Sequence, residues 1–146
     1  MDNKNETLII NLRKLYEQYG YKKISLPTFE EYDLYSEYRD FIKSEKILTL
    51  MTPEGKLEAL RPDITLSVAK KVAKDKNIKS EKIYYVENIY RFSKMNGYKE
   101  KRQLGIELIG TETEFLNYEI TNLALKSLQE INQNYSTEAI VNYEDL

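Results

Sequence analysis

Two strand-like runs on either side of Gly97 constrain this chain most. Lys82 to Phe92 is rich in Ile, Tyr and Val, and Gln103 to Ile109 follows it after a polar loop that contains Gly97. Such runs, separated by a glycine-containing loop, are typical of a β-hairpin. Side chains alternate between the two faces of a strand. In the second run one face takes Leu104, Ile106 and Leu108, and the other takes Gln103, Gly105 and Glu107. We therefore predict one core face and one polar face.

Helical patterns lie before and after this hairpin. Thr7 to Tyr19 has apolar residues at helical spacing, and Gly20 supplies its C-terminal stop. Asp63 to Lys76 and Phe115 to Ile131 are two further predicted helices. The apolar positions predicted to pack in the last helix are Phe115, Tyr118, Leu123, Leu125 and Leu128. Helices placed between antiparallel hairpins predict an α+β fold, an antiparallel sheet backed by helices.

Shorter segments complete the predicted architecture. Lys23 to Leu26 is typical of a short strand ended by Pro27, which lacks an N–H to donate. Ile47 to Met51 and Leu57 to Leu60 are joined by a turn-forming Thr-Pro-Glu-Gly-Lys stretch, which predicts a second hairpin. Two less regular predictions are an acidic, Tyr-rich irregular or helical segment at Phe29 to Phe41 and a last strand at Glu138 to Val141.

Composition excludes several functional classes. The 146 residues indicate one domain or part of one. With 22 basic and 24 acidic side chains the net charge is -2, so general attraction to nucleic acid or to an anionic membrane is not expected. The chain has no Cys and no His, which removes disulfides and the usual zinc ligands, and we predict no metal and no cofactor. Because no apolar run reaches about 18 residues, we expect a cytoplasmic protein without a membrane span.

The polar face of the main hairpin is the first candidate site. If the hairpin is symmetric about Gly97, Arg91 lies opposite Gln103 and Glu87 opposite Glu107. Two facing carboxylates repel unless a cation lies between them or one takes up a proton. A ligand ammonium would meet the first need, and Arg91 could hold an anion. The pattern thus favours a small zwitterionic or phosphate-bearing ligand, whereas the alternative is a solvated open sheet face.

Glycine and basic residues add two weaker indications. A glycine inside a strand, here Gly105, often marks a place where a ligand approaches closely. The loop Ser93 to Arg102 carries four cations that could grip phosphates, or that could simply keep a hairpin tip solvated: Lys94, Lys99, Lys101 and Arg102. Asp63 and Thr65 pose a similar choice, because either could cap the helix that follows.

Taken in order, five segments resemble the class II histidyl-tRNA synthetase family. The segments are Leu12 to Glu30, Leu60 to Thr65 (Leu-Arg-Pro-Asp-Ile-Thr), Ile83 to Arg91, Gln103 to Gly110 and Glu119 to Leu128. They resemble the first class II motif, the family's Leu-Arg-Pro-Glu-Gly-Thr, the second class II motif with its returning strand, and the helix after it. The resemblance identifies residues 1–146 as the N-terminal part of a class II synthetase-like domain.

The resemblance implies a site and an interface. By position, Asp63, Thr65, Gln103 and Glu107 would line a pocket for the amino acid histidine, with Arg91 beside it. No residue is implied to be catalytic. The proline of the first class II motif lies at the family's dimer interface, so the resemblance also implies a homodimer through the segment around Pro27.

Departures from the family pattern point to a regulatory paralogue. Synthetases carry an acid two residues after the motif arginine, where this chain has Ser93. Asp63-Ile64 replaces Glu-Gly, Lys101-Arg102 replaces Phe-His, Glu87 replaces glycine, and the chain stops before the third class II motif. The resemblance therefore implies a non-catalytic regulatory subunit that pairs with the short-form ATP phosphoribosyltransferase catalytic subunit in histidine biosynthesis, activates it and contributes to histidine feedback. The alternatives are a fragment of a divergent histidine–tRNA ligase and a free-standing amino-acid-binding paralogue.

Overall fold

The computed structural model describes residues 3–37, 42–73, 80–110 and 113–134. The helices are α1 (Asn3–Gln18), α2 (Asp33–Ser36), α3 (Thr65–Ala73) and α4 (Glu114–Asn134). The strands are β1 (Lys22–Lys23), β2 (Phe29–Glu31), β3 (Thr49–Met51), β4 (Leu57–Leu60), β5 (Ser80–Ser93) and β6 (Gly97–Gly110). The predicted α+β class is confirmed. The strand predicted at Glu138 to Val141 lies outside the described residues.

Within those residues the strands form two three-stranded sheets, ordered β1-β5-β6 and β2-β4-β3. In the second sheet β4 pairs antiparallel with both neighbours, and Ala59 lies opposite Glu30 on one side and Thr49 on the other. The β3–β4 turn is closed by a hydrogen bond from the Thr52 N–H to the Lys56 carbonyl, and Gly55 adopts φ 79° there. The predicted second hairpin is confirmed.

Two compact units make up the chain. The first unit comprises Met1–Lys22, Lys79–Tyr84 and Ile106–Leu146. The second unit comprises Lys23–Ile78 and Tyr85–Gly105. Strands β5 and β6 therefore each contribute residues to both units.

In the first unit, α1 ends where the glycine predicts. Gly20 has φ 81°, a left-handed conformation that a side chain disfavours. The Gly20 N–H donates to the Glu17 carbonyl at 3.0 Å, and the Tyr21 N–H donates to the Tyr16 carbonyl at 3.1 Å. These two bonds form a Schellman motif, which satisfies carbonyls that the last helical turn leaves open. Tyr16 and Tyr21 are both buried, as this motif favours.

Helices α1 and α4 pack against each other in the same unit. The Asn11 side-chain amide donates to Glu130 at 2.8 Å, and the hydroxyls of Tyr16 and Ser127 lie 3.0 Å apart. Leu123 is fully buried on the packed face. The prediction that Phe115, Tyr118 and Leu125 pack in the core is wrong, since they are 70%, 71% and 56% exposed. The face centred on Leu123 is the buried one, and at about 100° per residue Tyr118 and Leu125 point away from it. Phe115 is closer to that face but lies in the first turn of α4.

The second unit has its own core beneath the β2-β4-β3 sheet. The core is formed by Tyr35 of α2, Ala59 of β4, Leu66 of α3 and the loop residues Ile42 and Ile47. The segment predicted as irregular or helical thus supplies a strand, β2, and a short helix, α2. The predicted strand at Lys23 to Leu26 is shorter and begins one residue earlier, as β1.

Polar contacts tie α3 to the rest of that core. The Tyr35 hydroxyl lies 3.3 Å from the Ser67 hydroxyl, and Lys70 pairs with the buried Glu30 at 2.8 Å. Burial raises the pKa of Tyr35 to about 12, while its bond with Ser67 acts in the opposite direction. The neutral phenol is therefore part of the packed interior rather than a group in exchange with solvent.

The main hairpin is confirmed, but its predicted register is wrong. Strand β5 runs to Ser93 and β6 begins at Gly97, so the turn is centred near Met95 and not at Gly97. The Asn96 N–H donates to the Ser93 carbonyl at 3.2 Å, and Gly97 adopts φ 67° as the residue that re-enters the ladder. A glycine in the left-handed conformation at the end of a type I turn is common in hairpins. The position of this glycine therefore marks the end of the turn, not its middle.

Candidate functional site

Arg61 lies at the centre of the second unit and is 1% exposed. Its guanidinium donates five hydrogen bonds. Nη1 reaches the carbonyls of Leu26 at 3.1 Å and Pro27 at 2.5 Å. Nε and Nη2 reach the Asn88 carbonyl at 3.1 and 2.7 Å, and Nη2 also pairs with Glu87 at 3.2 Å. All five N–H donors of the Arg61 guanidinium are used. Arg61 therefore joins its own segment to the Leu26–Pro27 loop and to strand β5, and it has no donor left for a ligand.

Glu87 is the acidic partner of this cluster. One carboxylate oxygen accepts from Arg61, and the other accepts the Leu26 N–H at 3.2 Å. The negative charge of Glu87 is therefore compensated inside the chain. The prediction that Glu87 needs a ligand cation is wrong, because Arg61 already supplies the positive charge. The sequence carries a signal for this pair that the motif reading missed. Apart from Asn88, the other residues of the run Ile83 to Ile89 are apolar or aromatic, and an acid in such a run requires a nearby cation when the strand is buried.

Arg91 is a cation of the hairpin that contacts the segment before α3. Its Nε donates to the Pro62 carbonyl at 2.9 Å, and the side chain is half-buried. Within the described ranges this is the one hydrogen bond that the Arg91 guanidinium makes. Among the described residues, neither Nη group of Arg91 has a hydrogen-bond partner.

The residues after Pro62 begin helix α3. Asp63 Oδ1 accepts the Leu66 N–H at 3.1 Å, which is the geometry of an N-terminal cap. The capping alternative left open by the sequence is therefore realised by Asp63, whose second carboxylate oxygen is not used in that bond. Thr65 is the first residue of α3, is exposed, and already interacts with another residue of the chain.

Gln103 and Glu107 lie on β6 in different units. Gln103 belongs to the second unit and Glu107 to the first, and both are half-buried. Glu107 already interacts with another residue of the chain. Every residue from 103 to 109 is half-buried, so the predicted fully buried face of Leu104, Ile106 and Leu108 is wrong.

Gly105 is approached closely, but by the chain itself. A Cβ placed on Gly105 would lie 2.5 Å from Cζ and 3.0 Å from Cε2 of the Tyr85 ring. Real Cβ atoms essentially never come that close to another atom, so only a glycine leaves room for the ring in this position. The group that comes close to Gly105 in the structure is thus an aromatic side chain of the chain itself, and the approach of a ligand stays a prediction.

The tip of the β5–β6 hairpin, from Ser93 to Arg102, is largely exposed and mainly basic. Its exposed cations are Lys94, Lys99, Lys101 and Arg102. Phe92 and Tyr98 pack with ring centroids 5.2 Å apart, on the face of the hairpin that does not carry Gly105. Glu100 accepts hydrogen bonds from Asn88 at 2.5 Å and from Tyr90 at 3.2 Å, so the acid of the tip is engaged there.

The second unit thus assembles Asp63, Thr65 and Arg91 around the start of α3, while Gln103 lies on β6 of the same unit. Glu107 is placed in the first unit. None of the helices in the described ranges carries an apolar stretch of the length that a bilayer requires.

Comparison with known proteins identifies the family. Residues 2–139 match the family model for histidyl-tRNA synthetase. A histidine–tRNA ligase from Methanococcus maripaludis is 35% identical over 138 residues, which cover 90% of this chain and 33% of the relative. An ATP phosphoribosyltransferase regulatory subunit from Clostridium novyi is 35% identical over 124 residues, which cover 82% of this chain and 30% of the relative. The chain therefore spans about a third of the length of the relatives that it matches.

Solved structures give the same result. The crystal structure of an ATP phosphoribosyltransferase regulatory subunit/histidyl-tRNA synthetase from Bacillus halodurans C matches with a TM-score of 0.74 and 28% identity, over 87% of this chain and 34% of that one. The apo histidyl-tRNA synthetase of S. aureus matches with a TM-score of 0.66 and 26% identity, over 88% of this chain and 35% of that one. The expected class II architecture is confirmed, and the chain belongs to the histidyl-tRNA synthetase family.

Proposed function

We propose that this chain is a non-catalytic, amino-acid-binding regulatory subunit of ATP phosphoribosyltransferase in histidine biosynthesis. In this role it activates the short-form catalytic subunit and contributes to feedback inhibition by histidine. The observation that carries the proposal is the Arg91 contact with the Pro62 carbonyl at 2.9 Å. It holds a cation whose Nη groups have no partner among the described residues next to Asp63, and this pairing of charges suits the carboxylate and ammonium of a free amino acid.

The proposed amino-acid site comprises Asp63, Thr65, Arg91 and Gln103, all of the second unit. Arg91 binds the carboxylate of histidine, and the oxygen of Asp63 that does not cap α3 accepts from its ammonium. Gln103 can donate and accept through its side-chain amide. Thr65 is assigned by its position in the family motifs, and Glu107, which the same motifs imply, lies in the first unit.

Ser93 supports the non-catalytic part of the proposal. It is the last residue of β5, and its backbone carbonyl accepts the Asn96 N–H in the hairpin turn. A serine hydroxyl carries no charge, so it does not supply the negative charge with which a carboxylate attracts a cation or a metal–nucleotide complex. The partner assignment is supported by the relatives named as regulatory subunits, from Clostridium novyi among others.

The test combines binding with assembly. Calorimetry should show histidine binding, and the chain should co-purify with a short-form ATP phosphoribosyltransferase catalytic subunit from the same source. The activity of that subunit should rise when the chain is added and fall again with histidine. A catalytic subunit that neither binds the chain nor changes in activity would contradict the regulatory role, even if histidine binds.

A histidine–tRNA ligase fragment is the second candidate. It is favoured by the 35% identity to the Methanococcus maripaludis ligase. Histidine-dependent exchange of pyrophosphate into ATP separates the two candidates, because the reaction requires adenylate formation and a regulatory subunit does not catalyse it. Histidine binding with neither exchange nor a catalytic partner would favour a free-standing amino-acid-binding paralogue.

We also propose self-association through the segment around Pro27. Pro27 is exposed, while Arg61 holds the carbonyls of Leu26 and Pro27 from the interior. The segment is thus presented in one conformation, which lowers the entropy lost on docking. Sedimentation should show a dimer that Pro27→Asp weakens, and a chain that is monomeric at all concentrations would refute the proposal.

A further inference from the structure

The ring of Tyr85 covers the backbone of Gly105 on the sheet face that carries the proposed site. The nearest ring atoms leave space for a glycine hydrogen but not for a methyl group. Tyr85 and Gly105 both belong to the second unit, as do Arg91 and Gln103. The contact is therefore internal to the unit that contains the proposed site.

Alternation places Tyr85, Glu87 and Arg91 on one face of β5. The hydroxyl of Tyr90 lies on the other face, where it donates to Glu100. On β6, Gln103 and Gly105 are two residues apart and share a face, so their Cα atoms lie about 6–7 Å from each other along the strand. A ligand held by Gln103 and resting on the bare backbone of Gly105 would occupy the same space as the Tyr85 ring.

We propose that Tyr85 is an internal plug of the amino-acid site, and that its ring competes with the ligand for the surface of Gly105. This inference rests on the proposed amino-acid-binding function and adds a residue that limits its affinity. A half-buried tyrosine can leave by rotation about χ1, and the loss of its contacts, with Gly105 and with the further residue that Tyr85 interacts with, is subtracted from the binding free energy. Removal of the ring therefore strengthens ligand binding.

The experiment compares histidine binding by calorimetry in the wild-type chain and in three variants. Tyr85→Ala removes the plug and should bind histidine at least 10-fold more tightly than wild type. Tyr85→Phe keeps the ring and should stay within about twofold of wild type. Tyr90→Ala makes the same truncation on the opposite face of β5 and should leave the affinity unchanged.

The outcomes distinguish failure of the proposed plug from failure of the proposed amino-acid site. Tighter binding by Tyr85→Ala alone supports the plug. Equal or weaker binding by Tyr85→Ala, with measurable binding by wild type, overturns the plug and leaves the amino-acid site standing. If neither protein binds histidine, the proposed amino-acid site fails and the plug fails with it.

A second measurement tests the ring contact without any ligand. Gly105→Ala should lower the melting temperature of the wild-type chain because its Cβ meets the Tyr85 ring. The same substitution in a Tyr85→Ala background should lower the melting temperature much less. Equal losses in both backgrounds would show that the ring does not cover Gly105 in solution and would overturn the plug.

Discussion

Two arginines of the second unit, Arg61 and Arg91, have opposite uses. Arg61 is buried, and its five hydrogen bonds join the Leu26–Pro27 loop, the residues before α3 and strand β5. Arg91 is half-buried, and its guanidinium makes one hydrogen bond to the described part of the chain, at Pro62. A fully satisfied guanidinium positions the backbone, while a partly satisfied one can still bind an anion.

The difference shows that arginines from two family-like segments can have different roles. Arg61 lies inside the Leu-Arg-Pro-Asp-Ile-Thr stretch, and Arg91 lies near the end of β5, in the segment that resembles the second class II motif. Arg61 joins segments of the chain, and Arg91 is the arginine that we propose to bind the ligand. The comparison becomes testable when each arginine is replaced and both stability and binding are measured.

The largest expected effect is on stability and comes from Arg61. Arg61→Met leaves the Glu87 carboxylate without its cation and removes donors from three backbone carbonyls. Loss of one partner of a buried, hydrogen-bonded ion pair costs about 3–5 kcal/mol. Urea unfolding should therefore show a large fall in the midpoint, or a chain that no longer folds.

Arg91→Met is the matched control for that loss. It removes a single bond to Pro62 from a half-buried side chain, and we expect a loss of about 0.5–1.5 kcal/mol in the free energy of unfolding. Equal losses in the two variants would show that the five hydrogen bonds of Arg61 do not stabilise the fold more than the single bond of Arg91. Arg61→Lys, which retains the charge but not the planar fork, should lie between the two.

The next largest expected effect is on the pH dependence of stability, and it comes from the buried hydroxyl of Tyr35. Burial raises the pKa of Tyr35 to about 12, whereas an unfolded tyrosine ionises near 10. Between these values the unfolded chain releases a proton that the folded chain keeps, so stability falls as pH rises from about 10 to 12. Two pKa units correspond to roughly 2–3 kcal/mol.

The variant Tyr35→Phe isolates this contribution. At pH 7 it should be slightly less stable than wild type, because the hydrogen bond with Ser67 is lost. Above pH 10 its stability should fall less steeply, and the difference in unfolding free energy should shift by roughly 2–3 kcal/mol in its favour. Parallel stability curves for the two proteins from pH 7 to 12 would contradict the assignment.

Much of the fold follows from local patterns. The helix stop at Gly20, the β3–β4 turn at Gly55 and the α3 cap at Asp63 each need only neighbouring residues, and each was predictable. The packed face of α4 was not, because several stripes on that helix contain apolar residues. Which stripe is buried depends on α1, through Tyr16 and Ser127, and therefore on contacts more than 100 residues apart in sequence.

The candidate site divides in the same way. Parity along a strand correctly joins Gln103 with Gly105 and Arg91 with Glu87, because alternation is local. It does not reveal that Glu87 is paired with Arg61, or that Tyr85 lies over Gly105. Both contacts depend on how segments distant in sequence are aligned. The alignment of β5 with β6 is set by their turn, in which Gly97 is the last residue and not the middle one.

Ligand binding is where Arg91 should matter most. Arg91→Met should weaken histidine binding by about 1.5–3 kcal/mol, roughly a 10- to 150-fold rise in Kd, because the ligand carboxylate loses a charge-assisted hydrogen bond. Calorimetry measures this directly, and Lys99→Met provides a control in which an exposed cation of the same hairpin is removed. Equal affinity in wild type and Arg91→Met would exclude Arg91 from the site.

The smallest expected effect concerns Leu104, on the opposite face of β6 from Gln103. A fully buried leucine costs about 2–5 kcal/mol when truncated to alanine. Leu104 is only half-buried, so less apolar surface returns to water and no closed cavity forms. We expect Leu104→Ala to lower the unfolding free energy by about 1 kcal/mol, with Leu108→Ala similar. A loss above about 3 kcal/mol would mean that this face is covered in solution, as it would be if a second copy or a partner packed against β6.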